Sequence, residues 1–372
     1  MKIGFVSERR FGEPRIAVMP SMIDRYRRIG IEVVVERGIG EHMGLADGAF
    51  QEAGAEPADP GTVPEVCQVL ARLRAPSDEE ISAIPAGTLH ISFLDPFSET
   101  ERIARMAAQG ITAVSMQMIP RSTYAQKMDA LSSQANLGGY VAVILGAARS
   151  ARIMPMMTTP AGTIKPMAVL VIGVGVAGLQ AIATARRLGA RVSAFDTRPV
   201  VEEQVKSLGA KFVKIDIGET GQTQDGYAKE LTPEQLRMQR EGMTKVCAQS
   251  DMIITTAQVF GRPAPRIITA DMVAAMRPGT VMVDMAVESG GNVEGSRKDA
   301  EVDEKGVIIL GHANLPGRVP VDASTMYAMN VFHLVQEFWD ADAKTIRLDA
   351  GNKIIDACLA TRDGAVLSKR PE

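Results

Sequence analysis

Three glycines spaced as Gly173-Val174-Gly175-Val176-Ala177-Gly178 follow a short β-branched run, Ala168 to Ile172, and open an alanine-rich stretch with no breaker. That spacing suits a strand turning tightly into a helix. The first glycine takes the turn, the second lets backbone approach a pyrophosphate, and the third lets helix and strand pack closely. The helix N-terminus then offers unpaired N–H groups and a partial positive charge to the phosphates. The next apolar run ends in Asp196, 18 residues after Gly178, where an acidic residue is expected on the hydroxyls of an adenosine ribose. A 2′-phosphate against that carboxylate would be repelled by about 4 kcal/mol at ~4 Å and an effective dielectric of ~20, so NAD(H) is favoured over NADP(H). Arg198 complicates this preference. It could accept a phosphate, stack on adenine, or lie in solvent.

The residues that are missing narrow the chemistry further. Oxidising an alcohol or amine moves a proton as well as a hydride, which needs an acid or base beside the nicotinamide. Only four histidines are present. His42 and His333 read as loop and helix face, His90 falls inside a strand, and His312 alone sits at a strand end suited to a cofactor site. No HExxH, nucleophile elbow or other metal-ligand spacing appears. Exchange of hydride between two nicotinamides would require no proton from the protein, only positioning and exclusion of water.

The elements needed to position these groups alternate along the chain. Lys2 to Val6, Ile31 to Glu36, Thr88 to Phe93 and Thr112 to Met116 read as strands, with a helix from Ser21 to Arg28 ended by Gly30. Such βα alternation predicts a doubly wound parallel sheet. Ser132 to Ile153 carries apolar residues at helical spacing and predicts a long connecting helix. A turn or hairpin is expected around Pro155 to Pro166. Ala168 to Ile172, Val176 to Leu188, Arg191 to Phe195, Val200 to Leu208 and Lys211 to Ile215 then read as a βαβαβ half. Strands follow at 251–255, 280–285 and 307–310. Ala323 to Trp339, free of proline and glycine, predicts a second long helix returning to the first domain, and a short hairpin is possible after Asp349. The expected fold class is α/β, with two Rossmann-like doubly wound parallel-sheet domains joined by long helices, one formed by 1–132 with 321–372 and the other by 133–320.

These segments become recognisable together. GVGVAGLQAIATARRLGA (173–190), the FDTRP after it, DGYAKE (225–230), PAPRIIT (263–269) and VDMAVESGGN (283–292) resemble the NAD-binding domain I of the proton-translocating transhydrogenase α-subunit family. RRFGEPRIAVMP, PRSTYAQKMDALSSQANLGGY (120–140) and HANLPGRVP (312–320) extend the resemblance over essentially the whole chain. It implies a loop over the nicotinamide carrying Arg121, Gln126 and Asp129, with Ser132 just beyond. Gln126 and Asp129 would act where NADH meets NADP(H) held by a partner domain. Residues alone read the same stretch as a capped helix N-terminus. The resemblance further implies a mobile loop at Gly226 and Tyr227 that closes on nucleotide, with Thr197 beside Asp196. Gln239 and Thr256-Ala257-Gln258 would line its adenosine and nicotinamide ends. The implied partners are an NADP(H)-binding domain, a membrane-spanning subunit and a second copy of this chain.

The chain also resembles alanine dehydrogenase, outside that family, which supplies the alternative activity. Arg15 matches a substrate-binding arginine of that enzyme. Its catalytic histidine would fall at Ser92-Phe93, however, Arg74 replaces a lysine, and Glu288 an aspartate. Within the transhydrogenase pattern, Tyr124 stands where arginine is usual and Gln258-Val259-Phe260 where Leu-Ile-Pro is usual.

Bulk properties exclude other classes. At 372 residues, two domains are expected, and a net charge of −3 gives no electrostatic pull toward nucleic acid. The three scattered cysteines argue against a disulfide framework and for a reducing compartment. Met167 to Ala185 is uncharged, but its glycines divide it into strand and helix, so no membrane insertion is expected. The expected location is the cytoplasm, at the inner membrane only through partner subunits.

Overall fold

A computed structural model describes residues 1–8, 12–215, 218 and 232–368. The chain divides into two compact units, Met1–Gln134 with Gly317–Glu372, and Ala135–Pro316.

The first unit is built on an eight-stranded sheet. Its order is Ala365–Val366, Leu359–Arg362, Thr112–Ser115, Leu89–Phe93, Val69–Arg74, Lys2–Phe5, Glu32–Glu36 and Glu56–Ala58. The six strands from Thr112–Ser115 to Glu56–Ala58 run parallel. Val33, Val34 and Val35 are all buried, as expected of a parallel strand covered on both faces. The last two strands form the expected C-terminal hairpin and add antiparallel to the edge of the parallel sheet at Thr112–Ser115. Helix Pro20–Arg28 and helix Pro320–Phe338 meet through Tyr26 and Phe332, whose rings lie edge to face 5.0 Å apart. The second helix starts three residues before the sequence expectation because proline at its first turn needs no N–H partner.

The second unit has seven strands in the order Lys211–Phe212, Arg191–Phe195, Ala168–Ile172, Met252–Thr255, Val281–Asp284, Val307–Leu310 and Glu301–Glu304. All pairs are parallel except the last, which the sequence reading missed. There Lys305 and Gly306 both take positive φ, the geometry of a two-residue hairpin turn, and set Glu301–Glu304 antiparallel on the edge. Ala168–Ile172 has its chain successor on one side and Met252–Thr255 on the other. This is the switch point beyond whose carboxyl end an open α/β sheet binds ligands.

Helix Ala130–Arg149 carries the chain from the first unit into the second. A Cβ at its Gly139 would lie 2.2 Å from the Ala177 carbonyl oxygen, so glycine there lets two helix backbones touch. The hairpin expected around residues 155–166 is present as Met157–Thr159 paired with Gly162–Ile164, exposed on both strands. Among the described residues, no helix is long and apolar enough to cross a membrane.

Candidate functional site

The three fingerprint glycines sit at the carboxyl end of Ala168–Ile172 and open helix Val176–Arg187. Two are required by the protein's own packing. Gly173 has φ +93°, and a Cβ on it would lie 2.6 Å from the Thr256 hydroxyl oxygen; a Cβ on Gly178 would lie 1.9 Å from the Gly173 carbonyl oxygen. Gly175 differs. Its φ of −88° and ψ of −164° suit any residue, it is exposed, and an added Cβ would meet none of the described residues within 4 Å. No neighbour among the described residues explains glycine there, which is what a loop shaped for close approach of a phosphate requires. Val174 is buried and Val176 half-buried, so loop and helix are anchored on either side of the exposed glycine.

Asp196 follows strand Arg191–Phe195, beside this loop, as expected. Its carboxylate is turned inward. Oδ2 accepts from the Val174 N–H at 2.7 Å, and Oδ1 from the Arg198 N–H at 2.9 Å. The Arg198 guanidinium donates to both oxygens, from Nε at 2.9 Å and Nη2 at 2.8 Å, and Nη2 also reaches the Val174 carbonyl at 3.1 Å. The reading of Arg198 as a solvated side chain is therefore corrected: its guanidinium is paired with Asp196 and the side chain is only 16% exposed. Thr197 between them is half-buried.

Thr256, Ala257 and Gln258 follow strand Met252–Thr255 and face the glycine loop. The Thr256 hydroxyl donates to the Gly173 carbonyl at 3.0 Å, and Gln258, exposed, donates to the Met285 carbonyl at 3.4 Å. Ala257 is held by a residue the sequence reading did not single out. Asn292, fully buried, accepts from the Ala257 N–H at 3.0 Å and donates to the Ala257 and Pro265 carbonyls at 2.8 Å each. Asp284, equally buried, accepts from the backbone N–H groups of Ala286, Asn292 and Val293 and from the Thr255 hydroxyl. Both lie in VDMAVESGGN, whose polar residues between a buried strand and two glycines were the available signal. Gln239 is half-buried on helix Pro233–Cys247. Gly226 and Tyr227 lie outside the described residues.

The other named residues belong to the first unit. Arg121 and Gln126 are exposed, the latter in a 3₁₀ turn, Gln126–Met128. Asp129 caps helix Ala130–Arg149: its carboxylate accepts from the Ser132 N–H at 2.9 Å and the Ser132 hydroxyl at 2.6 Å. The geometry thus agrees with the capping reading of Asp129 and Ser132. Glu337, on helix Pro320–Phe338, accepts from the Tyr124 hydroxyl and pairs with Lys127 at 3.1 Å; Asn330 of the same helix donates to the Lys127 carbonyl at 2.9 Å.

Arg15 is buried with its donors engaged, on Glu13 through Nε and Nη2 and on Gln134 through Nη1, each at 2.7 Å. Burial pushes the Glu13 carboxyl up, but the hydrogen bonds and charge of Arg15, with Arg74, outweigh it and bring it down to about 2. His90 is a core residue, as expected. Burial and then the Arg72 charge lower it to about 3, and its Nε2 meets the Ser92 hydroxyl at 3.0 Å. His312 is half-buried just past strand Val307–Leu310.

Switch point, fingerprint loop and acidic residue define a dinucleotide-binding α/β protein. Two family descriptions match, "Alanine dehydrogenase/PNT, N-terminal domain" over residues 4–138 and "Alanine dehydrogenase/PNT, C-terminal domain" over residues 142–369. The chain belongs to this family. It is 42% identical to an NAD(P) transhydrogenase subunit alpha chain of Rhodospirillum rubrum, covering 99% of this chain and 98% of that one. It is 26% identical to alanine dehydrogenase of Mycobacterium tuberculosis, over 100% of this chain and 95% of that one. Among solved structures, a transhydrogenase from Sinorhizobium meliloti superposes with a TM-score of 0.86 at 38% identity, covering 99% of both chains. An L-alanine dehydrogenase superposes at 0.80 and 22% identity and shares the fold.

Proposed function

We propose that this chain is the NAD(H)-binding component of a proton-translocating nicotinamide nucleotide transhydrogenase, presenting NADH to a partner that holds NADP(H). The observation that carries the nucleotide site is Gly175, whose lack of a side chain serves no contact among the described residues. The loop Gly173 to Gly178 would seat the pyrophosphate on the helix N-terminus, Asp196 would take the adenosine ribose, and Thr256-Ala257-Gln258 would line the crevice. Arg121 and Ser132 would flank the nicotinamide end. NADH supplies the hydride when bound.

The chain's own part is positioning and exclusion of water, because hydride exchange between nicotinamides leaves no proton to move. Gln126, exposed on its turn, would touch the partner's nucleotide. Asp129 would fix the turn by capping the helix below it. A core histidine and an arginine already committed to Glu13 and Gln134 supply no acid–base or carboxylate-binding pair for an amino acid.

The partners would be an NADP(H)-binding domain and a membrane-spanning subunit that conducts the proton, with this chain cytoplasmic and held at the inner membrane by them. A second copy is also proposed. The free-standing hairpin Met157–Ile164 exposes Met157 and Ile164, and a lone two-stranded hairpin gains stability by packing on another surface. Mixing the chain with an NADP(H)-binding transhydrogenase subunit should give NADH-dependent reduction of an NADP+ analogue, followed by absorbance. No turnover with both nucleotides bound would overturn the proposal.

A further inference from the structure

We infer that Arg198 is a built-in competitor for the ribose position on Asp196, and that it sets how sharply the site separates NADH from NADPH. The inference rests on the nucleotide reading of this loop. A carboxylate offers about four acceptor positions, and those of Asp196 meet four donors. Two donors, the N–H groups of Val174 and Arg198, belong to backbone. The other two are Nε and Nη2 of one guanidinium, one on each oxygen. With that fork in place the Asp196 side chain is only 6% exposed. A ribose diol also brings two hydroxyl donors to a carboxylate. It can reach Asp196 only by taking the guanidinium's two positions, because the backbone donors cannot swing away.

Binding therefore exchanges one bidentate partner for another, and part of the nucleotide's affinity is offset by the pairing it breaks. The exchange also changes selectivity. The displaced guanidinium remains tethered two residues from Asp196, where its charge attracts a 2′-phosphate that the bare carboxylate would repel. Arg198 thus lowers affinity for NADH and softens rejection of NADPH.

The test is calorimetric titration of NADH and of NADPH into the full chain and its Arg198→Ala and Arg198→Lys variants, with thermal melts of each as a fold control. Arg198→Ala should bind NADH roughly three- to tenfold more tightly, and its NADH-over-NADPH preference should widen by at least about tenfold. Arg198→Lys, which keeps the charge but not the fork, should gain NADH affinity with a smaller change in preference. Weaker NADH binding by a folded Arg198→Ala variant would overturn the inference, since the guanidinium would then be a net contact to the nucleotide. So would an unchanged preference. Absence of NADH binding by the wild-type chain would instead defeat the nucleotide reading beneath it.

Discussion

Replacing Gly175 by alanine separates what the fingerprint does for the fold from what it does for a ligand. The backbone at Gly175 already has a conformation alanine adopts, and its Cβ would meet no atom of the described residues within 4 Å. Two small effects on stability oppose each other. Alanine is a poorer N-cap than glycine by a few tenths to about 1 kcal/mol, while a less flexible unfolded chain returns about 0.4–1 kcal/mol. The net change should stay within about 1 kcal/mol. The same methyl stands where a phosphate must approach backbone N–H groups, so NADH affinity should fall at least tenfold, about 1.4 kcal/mol. Gly178→Ala is the contrasting control. Its Cβ would lie 1.9 Å from the Gly173 carbonyl oxygen, a backbone atom, and such overpacking costs about 1–3 kcal/mol. In a unit of this size, each kcal/mol lowers Tm by roughly 2–4 °C. Calorimetry with NADH and a thermal melt of each variant read the two quantities separately. Undiminished NADH binding by a folded Gly175→Ala protein would refute the reasoning, because the loop would then have no ligand to accommodate.

Two other predictions concern residues away from the fingerprint. Asn292→Ala leaves the Ala257 N–H and the Ala257 and Pro265 carbonyls without their side-chain partner, each worth about 1–3 kcal/mol when buried. NADH affinity should fall with stability, and Asn292→Asp should recover neither in the same titration, because its carboxylate would set an acceptor against the Ala257 and Pro265 carbonyls; recovery by Asp would refute the donor role. The first unit should lose stability on acidification. His90, lowered to about 3, binds no proton when folded but does when unfolded below its ordinary value of 6.5, so its contribution is full above that pH and fades toward 3. Glu13, lowered to about 2, adds a contribution that is full above 4.5 and is lost as pH falls through about 2. Glu8, raised by burial, opposes them. Each proton sets a slope of about 1.4 kcal/mol per pH unit. Chemical denaturation of His90→Gln between pH 6.5 and 4.5 should show a shallower loss than the wild type; an identical slope would exclude His90 as its source.

How far the sequence carried depended on whether information was local. Strands such as Ala168–Ile172 and the glycine turn after it are written in adjacent residues, and both stand where their patterns place them. Edge strands are not. Glu301–Glu304 is polar and carries no buried alternation, and only the paired positive φ values at Lys305 and Gly306 turn it back on the sheet. Leu359–Arg362 takes its antiparallel place beside Thr112–Ser115, a contact more than 200 residues distant in sequence. The run Val200 to Leu208 breaks into a 3₁₀ turn at Pro199–Val201 and a short helix, Glu202–Ser207, and only Lys211–Phe212 of the following run pairs. In the site, residue type identified Asp196 but could not reveal that Arg198 covers it, since side-chain pairing across two residues depends on how the strand end turns. Asn292 showed only as a polar residue beside two glycines, and its role did not, for the opposite reason. Its partners, Ala257 and Pro265, contribute backbone atoms, which leave no mark on residue identity.

On the proposed reading, the loop from Arg121 to Asp129 serves hydride transfer without an acid or base yet still depends on polar residues. Gln126 is exposed, and an exposed side chain on a short turn is placed only as well as the turn itself. The turn is fixed at both ends. Asp129 ties its C-terminal end to the first turn of helix Ala130–Arg149, and Glu337 with Asn330 tie Tyr124 and Lys127 to helix Pro320–Phe338. Tyr124, a departure from the usual arginine, therefore has a local role, because its hydroxyl shares Glu337 with Lys127. The polar groups of this loop hold a geometry, which on the proposed reading is the contribution that transfer between two nicotinamides asks of a protein.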